Sequence, residues 1–534
     1  MNYRCSSFDK SGRCTMRSSC SRHDSPVMAC LFCFGVVLVC RVAQAKTYYV
    51  DSSNGNDRNA GITRATAWKS LDKVNNATFS PGDKILFKAG AHFTGQLHPR
   101  GTGTETSPII IDVYGKGEKP LISAQGRFRE ALLLENQDYW EVNNLQLTNT
   151  GPTREPFRYG VRVRSWDHGR MRHIQLKNLF VHDVNGSLVK KDKGEGHGIV
   201  WENGGDRVKS RFDGLLIEGC QLARTDRNGI CGYTPYPSPD RTNRNLNVVI
   251  RNNLLEDIGG DGIKVWGCQG ALVERNVIRG ARRRCDDYAA GIWPWASDDT
   301  LFQFNEVSGV KGTKDGEAFD SDAYCKGSTY QYNYSHDNDG GFMLICCADN
   351  TDTVIRYNIS QNDRARLFHM ADKNENIKIY NNVFFVGKGS DVQLFLWTGE
   401  QATGSRAAQI VNNIFYLAGI GRNVTGVRRK PIDDGTFFTK PGFGGDWNIV
   451  FERNVIFGNF QDIPDVWKKM TNDPKLVAPG TGANGRDSLD GYKLRTDSPC
   501  IGRGIPVKNN GSRDFWGNKI PDDENPAIGA DERR

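Results

Sequence analysis

The phrase ERNVIR, at residues 274–279, returns as QFNEVS at 303–308 and QYNYSH at 331–336. Each copy places one Asn between short runs of apolar and aromatic residues. From Asn253 to Asn382 successive copies are 23, 29, 28, 25 and 24 residues apart, a spacing typical of one coil of a solenoid. The full series comprises Asn144, Asn178, Asn253, Asn276, Asn305, Asn333, Asn358, Asn382, Asn413 and Asn454.

Each repeat unit contains two or three runs of alternating apolar and polar residues, bounded by Gly, Asn or Asp, and has no helical period of useful length. Short strands in a coil of this length bury their inward faces only by stacking on neighbouring coils. The sequence therefore predicts an all-β parallel β-helix. The repeated Asn would form a hydrogen-bonded ladder with a spacing of about 4.8 Å. A seven-bladed propeller is the alternative, but its blades need roughly 40 residues each.

The first 45 residues differ from the rest of the chain. Basic residues precede an apolar run over 27–40, and small residues follow as far as Ala45. This pattern predicts a signal peptide, 1–45, and a secreted, periplasmic or cell-surface protein. The start could instead be Met16 or Met28, and an uncleaved membrane anchor is the alternative. The run is short for a membrane span, and we expect no stable membrane insertion after cleavage.

Without the leader the chain carries 64 Lys and Arg against 60 Asp and Glu, a net charge of +4. This mild balance permits an acidic polymer as partner, and no basic cluster with interleaved aromatics indicates nucleic-acid binding. Eight cysteines remain, some of which could oxidise in an exported chain, with a pairing that the sequence does not give. None has a CxxC zinc spacing, and Cys346 and Cys347 would point to opposite faces if they lay in a strand.

The strands that follow the Asn turns align on their apolar positions. An inward column is predicted to comprise Ile199, Ile230, Ile263, Ile292, Phe319 and Met343. Alternation then predicts two outward columns. The first comprises Val200, Cys231, Lys264, Trp293, Asp320 and Leu344, and the second comprises Glu202, Tyr233, Trp266, Trp295, Asp322 and Cys346.

Aromatic rings and carboxylates on one outward strip suit a polysaccharide, since sugar rings stack on flat aromatic surfaces and their hydroxyls bond carboxylates. The alternative is that flanking loops fold over the strip and bury it as a second small core. The predicted substrate-binding residues are Trp266, Trp293, Trp295, Tyr233, Tyr324 and Glu202.

The run DGEAFDSD, at 315–322, concentrates four carboxylates. Asp320 and Asp322 would lie roughly 6.5–7 Å apart on one strand face. This separation suits the paired carboxyl groups of a glycoside hydrolase, with Asp287 or Glu317 as a possible second partner across a coil. His336 is placed to orient a ligand or relay a proton.

Both ends of the chain resemble secreted bacterial right-handed parallel β-helix proteins of the pectate-lyase-like superfamily. The resemblance rests on TYYVDSSNGNDRNAGITRATAWKSLDKVN (47–75) and PGDKILFKAGAHFTGQL (81–97), and on YKLRTDSPCIGRG (492–504) and RDFWGNKIPDDENPAIGADE (513–532). It implies a cap and first coils over 46–130, β-helix repeats over 131–470 and a C-terminal cap segment over 471–534. These terminal motifs identify the fold and the group strongly, but they identify the chemistry only weakly.

The acidic run also resembles the calcium-binding stretch of β-helix pectate lyases, although Lys314 stands where that motif has an Asp. The resemblance implies that Ca²⁺ neutralises a uronate carboxylate while an unprotonated Lys or Arg removes a proton. Carried over, the metal ligands would be Asp287, Asp315, Glu317, Asp320 and Asp322, and the base would be Lys264, Lys311 or Lys314.

We therefore predict a monomeric enzyme that degrades a polysaccharide. The preferred prediction is a lyase that cleaves a uronic-acid-containing polymer by β-elimination. Calcium is the predicted cofactor, and no organic cofactor is expected. The predicted catalytic residues are Asp320, Asp322, Lys264, Lys314 and His336. A glycoside hydrolase using the same groove and a non-catalytic carbohydrate-binding scaffold are the alternatives.

Overall fold

The computed structural model describes residues 44–533, except 191–193, 348, 372–373, 399–405, 420–424, 430–446, 462, 464–467 and 522–523. The predicted signal peptide therefore lies outside the described residues, apart from its last two positions. No helix in the described part of the chain is both long and apolar enough to span a membrane.

Helices are few and short. One α-helix, α1, covers Leu71–Asn75, and two 3₁₀ helices cover Arg64–Thr66 and Arg486–Tyr492. Ser70 caps α1, because its hydroxyl accepts a hydrogen bond from the Lys73 N–H at 3.1 Å.

Strands occupy most of the rest. The first coils contain β1 Thr47–Val50, β2 Thr78–Phe79, β3 Lys84–Lys88, β4 His92–Thr94, β5 Arg100–Gly101, β6 Ile109–Tyr114, β7 Leu121–Ser123, β8 Glu130–Glu135, β9 Trp140–Asn143, β10 Gln146–Asn149, β11 Tyr159–Trp166, β12 Arg170–Lys177, β13 Phe180–Val184 and β14 His197–Gly204. The middle coils contain β15 Arg211–Glu218, β16 Gln221–Thr225, β17 Asn228–Tyr233, β18 Asn245–Arg251, β19 Leu254–Glu256, β20 Ile263–Trp266, β21 Cys268–Gln269, β22 Leu272–Glu274, β23 Val277–Arg279, β24 Ile292–Trp295, β25 Leu301–Gln303, β26 Glu306–Ser308, β27 Glu317–Ser321, β28 Thr329–Gln331, β29 Tyr334–His336 and β30 Gly341–Ile345. The last coils contain β31 Asn350–Thr351, β32 Val354–Arg356, β33 Ile359–Gln361, β34 Ala365–Ala371, β35 Asn374–Glu375, β36 Ile377–Tyr380, β37 Val383–Val386, β38 Val392–Thr398, β39 Arg406–Val411, β40 Ile414–Leu417, β41 Thr425–Arg429, β42 Trp447–Phe457 and β43 Lys468–Met470.

These strands wind into coils with three faces. One face is an eleven-stranded sheet in the order β41-β38-β34-β30-β27-β24-β20-β17-β14-β11-β8. The other two faces are joined in a sheet of 28 strands. Each strand pairs in parallel with its counterpart one coil away, as β25 pairs with β28 and β26 with β29. The predicted parallel β-helix is confirmed.

The Asn ladder is also present. The Asn305 side chain donates to the carboxamide oxygen of Asn333 at 3.0 Å and accepts from Asn276 at 3.1 Å. Equivalent bonds of 2.9–3.1 Å continue the row through every predicted Asn from Asn253 to Asn454. Asn144 and Asn178 bond to each other at an exposed position instead. The ladder satisfies buried polar groups at the same corner of each coil.

The inward column fills the interior as predicted. Its six residues are paired in register along the eleven-stranded sheet and have no exposed surface. A second apolar cluster lies outside the coils, where Leu489 and Tyr492 of the C-terminal segment pack on Tyr334, Tyr357 and Tyr380.

We expect Asn305→Ala to lower the free energy of unfolding by about 3 kcal/mol, because it leaves buried hydrogen-bonding groups unpaired. The Asn276 N–H loses its acceptor at 3.0 Å, and the Val273 carbonyl loses its donor at 2.9 Å. Urea unfolding measures the effect. Asn54, whose exposed side chain bonds only locally to Asp51, is the matched control, and Asn54→Ala should change stability by less than about 0.5 kcal/mol. Equal effects of the two substitutions would contradict a structural ladder.

Candidate active-site groove

The outward face of the eleven-stranded sheet has the predicted columns as far as its strands extend, and Asp322 and Cys346 lie just beyond the ends of β27 and β30. Cys231 pairs with Lys264 and Lys264 with Trp293, while the Ile292–Phe319 pair sets Trp293 level with Asp320. A cavity of about 480 Å³ lies on this face, and we call it the groove. It is lined by Arg129, Phe157, Tyr159, Arg162, Arg164, Trp166, Lys190, Glu195, His197, Glu202, Cys231, Tyr233, Lys264, Trp266, Trp293 and Trp295.

Four aromatic rings form a continuous row, which we call the aromatic strip; three of them line the groove, and the row continues beyond it to Tyr324. Ring centroids are 5.2 Å apart for Tyr233 and Trp266, 5.8 Å for Trp266 and Trp295, and 6.4 Å for Trp295 and Tyr324. Tyr233 is exposed, whereas Trp266 and Trp295 are half-buried. The strip thus offers ring surface to a ligand over more than one coil.

Loops cover part of this face, as the alternative prediction required. Trp293 is 3% exposed, because Lys190 places its ammonium 5.2 Å from the ring centroid and Asp261 accepts a hydrogen bond from the indole N–H at 2.9 Å. Ser238, from the loop after β17, accepts a hydrogen bond from the Trp295 indole N–H. The loops form walls beside the aromatic strip rather than a complete cover.

Ion pairs fix the polar part of the groove. Arg162 donates to Glu202 at 2.6 and 2.9 Å and to Glu130 at 2.8 Å. The guanidinium therefore fixes the position of Glu202, which was predicted to bind the ligand. Burial raises the pKa of Glu195, but Lys264 and then other positive neighbours outweigh burial, and the pKa falls to about 2. Glu195 is therefore charged, and Glu202 and Glu195 are both paired before any ligand arrives.

The structure does not support Lys264 as a base. Its side chain is 3% exposed, lies 3.6 Å from Glu195, and has its ammonium 5.0 and 5.4 Å from the Trp266 and Trp293 ring centroids. Burial alone would lower the pKa of Lys264, but Cys231 and Glu195 raise it above its ordinary value. An ammonium that stays protonated cannot remove a proton.

Beside the groove, Asp315, Glu317, Asp320 and Asp322 lie along and around β27, and we call them the carboxylate cluster. Burial and then the neighbouring carboxylates raise the pKa of Asp320 well above its ordinary range, and burial also raises that of Asp322. Asp320 is 3% exposed, and the Tyr330 hydroxyl donates to its backbone carbonyl. Asp320 and Asp322 do lie together, as predicted.

Glu317 has a structural role that the sequence did not indicate. It is fully buried, and Arg366 donates to it at 2.7 Å while also donating to the backbone carbonyls of Thr313 and Asp315. Asp315 has φ 58° in this turn. The Glu317–Arg366 pair therefore fixes the turn that presents the half-buried Asp315 side chain.

The residues proposed as calcium ligands do not converge on one point. In the described part of the chain, the one group of three or more His, Cys, Asp or Glu with ligand atoms within 4.8 Å of one another comprises Asp322, Cys346 and Cys347. Glu317 is bound by Arg366, and the Asp287 carboxylate accepts the N–H of the adjacent Tyr288. The predicted set of Asp287, Asp315, Glu317 and Asp320 is thus not supported as a single metal site.

Two other predicted catalytic residues point elsewhere. His336 is in β29, within the other sheet, between Asp337 at 2.9 Å and Glu306 at 3.5 Å. Despite burial, these carboxylates raise the pKa of His336 to about 9. Lys314 is exposed and donates to the backbone carbonyl of Asp286. Neither residue lines the groove.

Sequence reasoning missed the residues that come from outside the aligned strands. Lys190 belongs to a loop, and Arg162 lies in β11, one coil before the aligned set. Glu195 could have been found, because it stands two residues before His197, the first residue of β14. Of these residues Lys190 bears most directly on the chemistry of the site. Burial raises the pKa of Asp315 and of Asp322, and the positive charge of Lys190 partly offsets that rise.

The strands and the groove define a parallel β-helix with an aromatic-lined cavity on one face. Residues 242–415 match the model of the right handed beta helix region family. The predicted right-handed β-helix fold is therefore confirmed.

The chain is 32% identical over 442 residues to a lacto-N-biosidase of Bifidobacterium longum subsp. longum. The alignment covers 65% of this chain but 28% of that relative. A crystal structure of a GH136 lacto-N-biosidase from Eubacterium ramulus superposes with a TM-score of 0.59 at 28% identity, over 73% of this chain and 69% of that one. A mannuronic acid specific polysaccharide family 6 lyase from human gut microbiota shares the fold, with a TM-score of 0.51 and 13% identity over 80% and 92% of the chains.

We expect Lys264→Met to lower the free energy of unfolding by about 3 kcal/mol, because it leaves Glu195 buried without its cation. Urea unfolding measures this loss. Lys314→Met is the matched control, since Lys314 is exposed and makes one hydrogen bond to a backbone carbonyl, and it should leave stability nearly unchanged. A stable but inactive Lys264→Met variant would restore the interpretation of Lys264 as a base.

Proposed function

We propose that this protein is a glycoside hydrolase that binds a glycan along the groove and cleaves it at the adjoining carboxylate cluster, with Asp322 and Asp315 as its two working carboxyl groups. The observation that carries the proposal is the carboxylate cluster beside the aromatic strip. Asp315 and Asp322 both interact with Lys190, which in turn lies over Trp293. Paired carboxyl groups beside aromatic rings suit glycosidic bond hydrolysis.

Asp322 is the carboxyl group that carries the negative charge. It accepts the Ala323 N–H at 2.7 Å and the Cys346 thiol at 3.4 Å, and both donors favour the ionised form. The largest influences on its neighbour Asp320 are burial and then the adjacent carboxylates, and all of them raise the pKa of Asp320, while the Cys346 thiol lies farther from Asp320, at 4.0 Å. Because two adjacent buried carboxyl groups share protons, Asp320 holds the proton and Asp322 holds the charge.

Asp315 is the acid. Burial raises its pKa to about 6 against the opposing effect of Lys190. Below about pH 6 Asp315 is therefore protonated, and its pairing with Asp322 as the charged group is the division of labour that glycosidases need. Asp315 gives its proton to the departing glycosidic oxygen, and Asp322 either attacks the anomeric carbon or activates the water that does so.

The relatives suggest the substrate. Two proteins named lacto-N-biosidase resemble this chain at 32% and 28% identity. We propose that the groove accepts a glycan ending in lacto-N-biose and that hydrolysis releases this disaccharide. Its sugar rings would stack on the aromatic strip, and Glu202, already oriented by Arg162, would accept a hydroxyl hydrogen bond.

Elimination is the second candidate, and two observations favour hydrolysis over it. Lys264 stays charged, and the proposed calcium ligands are separate in the described structure. We also propose that the activity depends on calcium and that the enzyme is exported, and the same experiments test both. An enzyme acting on extracellular glycans has to be exported, in line with the predicted leader.

The test is an assay panel of a chromogenic lacto-N-bioside, natural glycans with this terminal disaccharide, pectate and alginate, each with calcium or a chelator. We expect release of the disaccharide from the first two substrates. A rise in ultraviolet absorbance from an unsaturated uronate on pectate or alginate would favour a lyase instead. No product from any substrate would favour a binding scaffold. Detection of the protein in the culture medium of its host tests export.

Asp322→Asn should lower kcat about a thousandfold or more on every substrate, because the charged group is lost. Asp315→Asn should do the same on natural glycans but much less on the chromogenic lacto-N-bioside, whose phenolate leaves without a proton. Asp286→Asn is the control, since Asp286 is exposed on the neighbouring loop. Equal losses on both substrate types would contradict Asp315 as the acid.

The pH profile gives an independent check. A general acid works only while protonated, so the rate of the unmodified enzyme should fall as the pH rises through about 6, the pKa of Asp315. Asp315→Asn should abolish this basic limb on the chromogenic substrate. The acidic limb, where Asp322 becomes protonated, should remain. A basic limb that survives in Asp315→Asn would assign the acid to another residue.

Trp295→Ala should raise KM roughly tenfold with a smaller change in kcat, because it interrupts the aromatic strip but leaves the carboxylate cluster. The control is Trp516→Ala, since Trp516 packs against Phe515 in the C-terminal segment. Steady-state kinetics on the chromogenic substrate separate the two constants. An unchanged KM would show that the ligand does not contact Trp295.

A further inference from the structure

Cys346 and Cys347 adopt an arrangement that the strand pattern excluded. Alternation in a strand would place adjacent side chains on opposite faces. However, β30 ends at Ile345, and Cys347 has φ 69° in the left-handed region. The chain therefore turns, and the two sulfur atoms lie 3.1 Å apart on the same side. The expectation of opposite faces applied only to a strand, and the strand ends at Ile345, one residue before Cys346.

The same two thiols contact the charged carboxylate of the proposed site. The Cys346 thiol donates to Asp322 at 3.4 Å, and hydrogen bonds from both thiols oppose the effect of burial on the pKa of Asp322. The three side chains bring their sulfur and oxygen atoms within 4.8 Å of one another. Any change in the chemical state of the thiols is thus felt directly by Asp322.

The two cysteines differ in access. Cys346 is 8% exposed, and its neighbours and burial raise the pKa of its thiol. Cys347 is half-buried and reaches solvent more readily. An oxidant in solution therefore meets Cys347 first, and Cys346 is placed to react second.

We propose that Cys346 and Cys347 form a reversible oxidation site whose disulfide removes the thiol donors from Asp322 and slows hydrolysis. The oxidant class is a peroxide. The Cys347 thiolate attacks one peroxide oxygen, giving a sulfenic acid and hydroxide. The Cys346 sulfur then displaces the sulfenic oxygen, which leaves as water, and the S–S bond forms. In sum, two thiols and one hydrogen peroxide give one disulfide and two waters.

The adjacency of the two residues makes this bond easy to reverse. Their Cα atoms are about 3.8 Å apart across a trans peptide, below the usual disulfide range of roughly 4.4–6.8 Å. A bond closed over so short a span is strained, and strained disulfides are reduced readily. The site is therefore suited to switching rather than to holding the fold together.

The link to activity rests on the proposed function of Asp322. Without the two thiol donors the charged form of Asp322 is less favoured, so its pKa rises. Since Asp322 works while ionised, the acidic limb of the pH–rate profile of the oxidised enzyme should move upward by about one pH unit. A dithiol reductant should return it to its original position.

The first measurement is independent of activity. The native full-length protein is treated with graded hydrogen peroxide, its free thiols are alkylated, and it is digested with trypsin. The peptide 327–356 contains Cys346 and Cys347 and no other cysteine. We expect it to lose two hydrogens and to escape alkylation at both positions, with both effects reversed by dithiothreitol. Two alkylated cysteines, or further oxidation of Cys347 alone, would overturn the proposal even if the protein hydrolyses glycans.

The second measurement compares pH–rate profiles before and after peroxide. Cys347→Ser keeps a hydroxyl at this position but cannot form the disulfide, so its profile should not respond. Cys500→Ala, at a buried cysteine in the C-terminal cluster, should respond as the unmodified chain does. A disulfide that forms without moving the acidic limb would overturn the link to Asp322. If no glycan is hydrolysed at all, the proposed function fails, and the peptide mass still decides the oxidation site.

Discussion

The register between successive coils is the constraint on which the rest of this structure depends. Because side chains alternate along a strand, a slip of one residue would move every inward side chain to the surface. The apolar inward column resists such a slip, and the Asn ladder fixes the corner of each coil with paired buried amides. With this register held, residues distant in sequence, such as Lys264 and Trp293, become direct neighbours on the outward face.

Charge is distributed unevenly over that face. Glu202, Glu195 and Glu317 each have a cation: Arg162, Lys264 and Arg366 respectively. These pairs compensate carboxylates of the scaffold, although burial outweighs Arg366 at Glu317 and raises the pKa of Glu317 to about 7. The remainder of the carboxylate cluster has less compensation: Lys190 lowers the pKa of Asp315 and of Asp322 against burial, whereas the largest influences on Asp320 all raise its pKa. Uncompensated carboxyl groups of shifted pKa beside a groove are where acid–base chemistry is expected.

The geometry does not support the base and the metal ligands predicted for a lyase, and one physical reason accounts for both. Alignment of the coils placed Lys264 and the acidic residues on the correct face, but it did not show how deeply each side chain is buried or which charged group pairs with it. Glu195, which precedes the aligned strand, pairs with Lys264 and keeps it charged, while Arg366 from a later coil occupies Glu317. Both partners lie many residues away in the chain, and their contacts depend on how turns leave the strands.

The sequence by itself determined the β-helix, the Asn ladder, the inward column and the two outward columns with their aromatic strip. It could do so because coil length and strand alternation are periodic and are written directly in residue order. Only the tertiary structure decided which carboxylates are paired, which loop brings Lys190 over Trp293, and that Cys346 and Cys347 share one side. Burial and turn geometry set the charge of each group, and neither has a period that a single sequence reveals.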